Sequence, residues 1–206
     1  MKAIKITVFG SSHCKYLSKV RPNSIYTIGG FRCLFEFEHY SGMSFNNFFS
    51  SWGHDQIDRI VADRPDYLIT LFGGNSISTQ ISRSEILTDC KEFYRLVFDK
   101  YKHANPNGKL VASQILCRFN HVPNKFNTPG PVEYKLVRNL INRKICNLKK
   151  YRDYMMLVAG PKLDQRKYFN GGGTHLTSYG YKRLFSIMLS TVWWALNKDH
   201  PVVPSS

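Results

Sequence analysis

Short β-rich apolar runs that stop at small polar residues alternate along this chain with amphipathic segments long enough to be helices. Nothing else in the sequence constrains the fold as much. Ile4 to Phe9 stops at Gly10, Ser11 and Ser12, and Tyr67 to Phe72 runs into Gly73 and Gly74. Lys109 to Cys117 and Tyr154 to Ala159 read the same way, with Ser24 to Ile28 as a weaker strand. Unbroken apolar runs are what strands look like when helices cover both faces of their sheet. Between the runs, Asp55 to Asp63 places Ile57, Ile60 and Val61 at helical spacing before Pro65. Ser84 to His103 repeats Ile86, Leu87, Cys90, Phe93, Leu96, Val97 and Tyr101. Pro131 opens a helix through about Arg152, with Leu136, Val137, Leu140, Ile141, Ile145 and Leu148 inward and Lys/Arg outward, and Thr177 to Leu196 is the last helix. Strands alternating with helices of this length predict an α/β fold, a three-layer α/β/α sandwich on a parallel sheet of about five strands. One domain over residues 1–198 is expected, followed by a tail over 199–206.

Composition removes several alternatives. Apolar residues are 43% of the 206-residue chain and charged residues 21%, which excludes a disordered or low-complexity polymer. The five cysteines (Cys14, Cys33, Cys90, Cys117 and Cys146) are far apart and form no C-x-x-C pair, which excludes a zinc ribbon and a disulfide scaffold. They read as reduced thiols in the cytoplasm or nucleus. No stretch reaches the 18 or so apolar residues of a membrane span, and Ile4 to Phe9 is too short for a signal sequence. Lys and Arg outnumber Asp and Glu by 29 to 14, a net charge of +15 that favours polyanionic partners.

In a parallel α/β sheet, ligands collect at the carboxyl ends of the strands. Polar clusters fall there in order: Gly10-Ser11-Ser12-His13, Gly73-Gly74-Asn75-Ser76, and Gly171 to Leu176 after the last strand, with Ser41 to Ser44 in an intervening connection. Each alone is ordinary turn or cap chemistry. Together they carry a Ser, a Gly, an Asn and a His in four separate blocks.

That order resembles the SGNH, or GDSL, hydrolase family over nearly the whole chain, from about Ile4 to Leu196. The G-D-S-[LH] block is similar to Gly10-Ser11-Ser12-His13, with Ser11 in place of the usual Asp. The Gly block is similar to Gly42, the G-x-N-D block to Gly73-Gly74-Asn75-Ser76, and the D-x-x-H block to Gly172-Gly173-Thr174-His175, continuing through Leu176 to Tyr179-Gly180-Tyr181. The resemblance implies a flavodoxin-like fold and a serine esterase that needs no metal or organic cofactor. Ser12 would be the nucleophile and His175 its base. The backbone N–H groups of Ser12 and Gly42, with the side-chain amide of Asn75, would form the oxyanion hole. It implies a small acyl ester, an acetyl ester first of all, as the substrate. The chemistry suits these residues: a serine hydroxyl needs a neighbouring base, and imidazole titrates near neutrality.

The departure is Gly172, where most members carry the Asp that orients the histidine. The carbonyl of Gly172 or the side chains of Asn170 and Asp164 are the candidate substitutes. Without one, the alternative is a catalytically degenerate fold that binds nucleic acid or an acylated ligand. Arg118 and Asn120, in a segment similar to one that follows the fourth strand in these hydrolases, are candidate pocket residues. Lys135, Arg138, Arg143, Lys144, Lys149 and Lys150 form a candidate phosphate-tracking face on one long helix, with a solvated face as the plain alternative. SGNH domains similar to this one occur in proteins of some eukaryotic retrotransposons. His13 reads as structural, His54 and Asp55 as helix-start residues, and Trp193 with Trp194 as one core residue beside a partly exposed neighbour.

Overall fold

The computed structural model describes residues 3–79, 82–119, 131–148, 154–157 and 163–199. Asn120, Lys149, Lys150, the 121–130 loop and the 200–206 tail therefore lie outside the described residues.

The chain runs β1 (Ile4–Gly10), α1 (Ser12–Val20), β2 (Ser24–Ile28), β3 (Phe31–His39), a short 3-10 turn (Phe45–Phe49), α2 (Ser51–Ala62), β4 (Tyr67–Leu71) and α3 (Gly74–Thr79). It continues with α4 (Arg83–Ala104), β5 (Lys109–Ser113), α5 (Pro131–Asn147), β6 (Tyr154–Leu157), a second 3-10 turn (Arg166–Tyr168) and α6 (Ser178–Asp199). The strands lie in the order β2-β3-β1-β4-β5-β6. Five of them, β3 to β6 in that order, are mutually parallel, and β2 adds an antiparallel edge through a tight hairpin at Gly29 and Gly30.

This corrects the sequence reading at one strand. Ser24 to Ile28 is the edge strand, and the parallel position beside β1 is filled by Phe31–His39. That segment alternates: Cys33, Phe35 and Phe37 are buried, while Leu34, Glu36 and Glu38 on the other face are half-buried. Its charged residues break the apolar run, yet its period of two is the signature of a strand with one fully covered face.

Alternation in the central strands splits the core into two. Ile6, Val8, Ile69, Leu71 and Val111 pack under α1 and α6 with Cys14, Leu17, Leu184 and Met188. Phe9, Leu68, Leu110 and Ala112 pack on the opposite face under α2, α4 and α5 with Ile57, Phe93, Val97 and Ile141. Each fully buried large apolar side chain contributes about 1.5–3 kcal/mol relative to exposure, so both layers are anchored along the sheet. The result is the three-layer sandwich.

The expected inward residues Val137, Ile141 and Ile145 of α5, and Leu148 just after it, are buried, but particular residues of two helices depart from expectation. On α5 the buried stripe is Tyr134, Val137, Arg138, Ile141 and Ile145, whereas Leu136 is 51% and Leu140 36% exposed. The stripe at i, i+3, i+4 and i+7 from Tyr134 is the one that faces the sheet, and Leu136 and Leu140 stand outside it. On α6 both Trp193 and Trp194 are about half exposed, so neither is a core residue, because Val192, Ala195 and Leu196 occupy the inward positions. His54 and Asp55 lie inside α2 rather than at its start, which is capped by Ser50 accepting from the Gly53 amide.

Candidate active site

The order β3-β1-β4 makes the ends of these three strands immediate neighbours. The chain leaves β1, builds β2 and β3 on one side, and returns to place β4 on the other. Such a switch opens a crevice at the carboxyl ends. The Ser12, Gly42 and Asn75 blocks follow β1, β3 and β4 respectively, so topology alone sets them side by side.

Local packing draws them closer. Gly10 ends β1 where no side chain fits: a Cβ there would lie 2.7 Å from Cys14 Cβ and 2.9 Å from Leu71 Cβ. The Ser11 amide donates to the Leu71 carbonyl at 3.2 Å and the Tyr40 amide to the Gly10 carbonyl at 2.9 Å, tying β1 to both neighbouring loops. Gly73 turns the chain from β4 into α3 at φ +114°, against the Ile115 side chain, a conformation that L side chains rarely adopt. Ser76 is fully buried and its Oγ accepts the Phe45 amide at 2.9 Å, which fastens α3 to the loop after β3. Asn75 Nδ2 donates to the Met43 carbonyl at 3.1 Å, one residue beyond Gly42. Gly42 itself is exposed.

His175 reaches this crevice from the far edge of the sheet. It lies just before α6, which packs against α1. Its loop is closed by the Asn170 amide donating to the His175 carbonyl at 2.9 Å and by the Phe169–Leu176 bridge. The Phe119 amide donates to the Gly173 carbonyl at 2.9 Å, fixing the loop to the segment after β5. His175 Nε2 then stands 3.1 Å from Ser12 Oγ, across 163 positions of sequence. Ser12 is the first residue of α1, where unpaired amides and the helix dipole favour negative charge on a neighbouring oxygen.

Two rings of α1 lie beside the imidazole. Tyr16 lies 4.7 Å from His175 and His13 lies 5.6 Å away, between ring centroids. His13 Nδ1 is hydrogen-bonded to the Tyr181 hydroxyl at 3.2 Å, a structural role as read from the sequence. Burial, with the charges of His175 and Arg118 adding to it, pushes His13 down to about 3. His175 is also lowered from its ordinary value, first by desolvation and then by the Arg118 guanidinium. Both imidazoles are therefore neutral at pH 7, and a neutral His175 can accept a proton.

Of the candidate orienting groups, none bonds His175 Nδ1 among the described residues. Asp164 is committed elsewhere: Oδ2 takes Arg138 Nη1 at 2.6 Å and Oδ1 the Cys117 amide at 3.4 Å. Asn170 closes the histidine loop through its backbone, and its Oδ1 lies 3.6 Å from where a Cβ on Gly172 would sit. Gly172 is exposed.

Arg118 points into the site, its Nη2 donating to Asn75 Oδ1 at 3.0 Å. Arg138 leaves the basic face assigned to it: it is 8% exposed and paired with Asp164, while Lys135, Arg143 and Lys144 remain exposed. Tyr16 was not singled out in the sequence; its position one helical turn after Ser12 was the available signal, since i and i+4 share a helix face. No group of three or more His, Cys, Asp or Glu that could hold a metal occurs among the described residues. No helix among them is long and apolar enough to cross a membrane.

No family model matches the sequence, and no curated protein matches it. Solved structures do. A lipase/acylhydrolase from Enterococcus faecalis aligns with TM-score 0.66 at 10% identity, over 93% of this chain and 96% of that one. A carbohydrate esterase family 3 structure from Talaromyces cellulolyticus aligns with TM-score 0.64 at 12% identity, over 95% and 99% of the two chains. A GDSL-like lipase from Bacteroides thetaiotaomicron aligns with TM-score 0.63 at 11% identity, over 95% and 89%. With such coverage at such low identity, the backbone architecture is what is shared: the chain has the fold of the GDSL, or SGNH, lipases and acylhydrolases.

Proposed function

We propose that this protein is a serine ester hydrolase in which Ser12 and His175 work as a dyad on a small acyl ester, an acetyl ester being the first candidate. The observation that carries this is the 3.1 Å approach of His175 Nε2 to Ser12 Oγ at the head of a helix. The GDSL lipases and esterases that share the fold support it.

In the acylation step the Ser12 Oγ–H proton passes to His175 Nε2 while Oγ forms a bond to the acyl carbon. The carbonyl π pair moves onto oxygen, giving a tetrahedral oxyanion. Its collapse re-forms the carbonyl and breaks the bond to the alcohol, which leaves with the proton from His175. Water then repeats the sequence on the acyl-serine. For Nε2 to act as the base, the imidazole proton must sit on Nδ1. The Ser12 and Gly42 amides and the Asn75 side chain, contributed by three adjacent strand ends, are the donors for the oxyanion. Each such donor is typically worth on the order of 10²–10³ in turnover.

The test is labelling with a fluorophosphonate probe, mapped by mass spectrometry. An adduct on Ser12 that disappears in Ser12→Ala and His175→Ala supports the dyad; folded wild-type protein that takes no label overturns it.

A further inference from the structure

The side-chain amide of Asn75 is held at both ends. Nδ2 donates to the Met43 carbonyl at 3.1 Å, and Oδ1 accepts from Arg118 Nη2 at 3.0 Å. A flipped amide would set its NH2 group against a guanidinium and its oxygen against a carbonyl, two repulsive contacts in place of two hydrogen bonds. Arg118 is itself fixed. Its guanidinium lies 5.4 Å from the Tyr134 ring centroid, and Tyr134, fully buried, donates its hydroxyl to the Leu116 carbonyl at 3.3 Å. The guanidinium also lies against the start of α3, where a Cβ on Gly74 would be 3.2 Å from Nη2.

We infer that Arg118 is a positioning residue of the ester-cleaving site: it locks the Asn75 amide with Nδ2 turned toward the Gly42 loop, and it places a fixed positive charge beside the forming oxyanion. This rests on the Ser12/His175 reading. A rigid amide costs no reorganisation when the oxyanion forms, which is where preorganised donors gain most of their effect. A neighbouring cation strengthens the same donor by polarising its carbonyl. The charge is felt across the site, since the Arg118 guanidinium contributes to the lowering of both His13 and His175. Lysine cannot reproduce the planar fork, although it keeps the charge.

The experiment compares wild type with Arg118→Gln and Arg118→Lys by three readouts: steady-state hydrolysis of an aryl acetate, the rate of fluorophosphonate labelling, and NMR titration of the His175 imidazole. Arg118→Gln should lower kcat on the order of 10²-fold with KM within about 3-fold, as loss of a transition-state interaction does. It should also raise the His175 midpoint toward the usual histidine value. Among the described residues, the groups that face the imidazole are Ser12, His13 and Tyr16 of α1, with Tyr181 of α6 behind His13 and Tyr16, and Arg118; of these Arg118 carries a charge at neutral pH. Arg118→Lys should keep the low midpoint and recover only part of kcat. An unchanged kcat, a loss confined to KM, or an unmoved His175 midpoint overturns the inference. If Arg118→Gln does not fold, Arg118→Lys decides: full wild-type kcat there removes the amide lock. Should wild type hydrolyse nothing and take no label, the hydrolase reading fails, and the His175 titration still tests whether the Arg118 charge reaches the site.

Discussion

Asp164, the acid closest in sequence to His175, gives its Oδ2 to Arg138 at 2.6 Å and its Oδ1 to the Cys117 amide at 3.4 Å. The pair joins α5 to the segment before the histidine loop, and Arg138 lies 8% exposed within the apolar stripe of its helix. A buried guanidinium stripped of its carboxylate is costly, typically 3–5 kcal/mol, because an uncompensated charge remains.

Asp164→Asn should therefore lower stability and leave kcat of the folded enzyme within about 2-fold of wild type. Pairing it with Arg138→Met should recover part of the loss, since the orphaned charge is removed as well. Urea midpoints of the three variants, together with aryl acetate turnover, check this. A large fall in kcat with Asp164→Asn would return the residue to the role of orienting His175.

Gly172→Asp should raise turnover. Among the described residues a Cβ at this exposed position meets only Asn170 Oδ1, at 3.6 Å, so the carboxylate can be accommodated. An acceptor on Nδ1–H fixes the tautomer that leaves Nε2 free to take the serine proton; in a serine protease, replacing that Asp by Asn lowers kcat about 10⁴-fold. A gain of 10-fold or more in kcat, with KM little changed, is expected from steady-state kinetics, and no gain would show that the new carboxylate does not reach the ring.

Acidification should destabilise the protein through His13. Its folded value of about 3 lies below the ordinary 6.5, so between these limits the unfolded chain binds more protons. Stability is present above pH 6.5 and is lost as the pH falls toward 3, at up to about 1.4 kcal/mol per pH unit for one proton. His175, also lowered, acts in the same direction. His13→Gln should flatten the fall in denaturation midpoint between pH 7 and pH 4.5 relative to wild type.

Gly10→Ala should damage both stability and activity. The added methyl would meet Cys14 Cβ at 2.7 Å and Leu71 Cβ at 2.9 Å, and the Leu71 carbonyl at 3.1 Å. Overpacking of this kind costs about 1–3 kcal/mol, and relief by shifting α1 would carry Ser12 away from His175. A lowered Tm together with slower labelling of Ser12 is the expected result.

The sequence by itself determined the layered α/β architecture, because continuous apolar runs and 3.6-residue periodicity report burial directly. It also placed the Ser12, Asn75 and His175 blocks at strand ends, because chain order and strand ends are visible in one dimension, while Gly42 came from the resemblance to the SGNH hydrolases. It did not show β3, whose Glu36 and Glu38 interrupt the apolar run on the half-covered face of the sheet. On α5 and just after it, it placed Val137, Ile141, Ile145 and Leu148 inward correctly but could not separate Leu136 and Leu140 from them, since these have the same hydropathy as buried neighbours. Only tertiary structure paired Arg138 with Asp164, set Arg118 on Asn75 and brought His175 to Ser12. Those contacts join residues 26, 43 and 163 positions apart. Contacts of that kind depend on how loops at neighbouring strand ends converge, and no local periodicity encodes it.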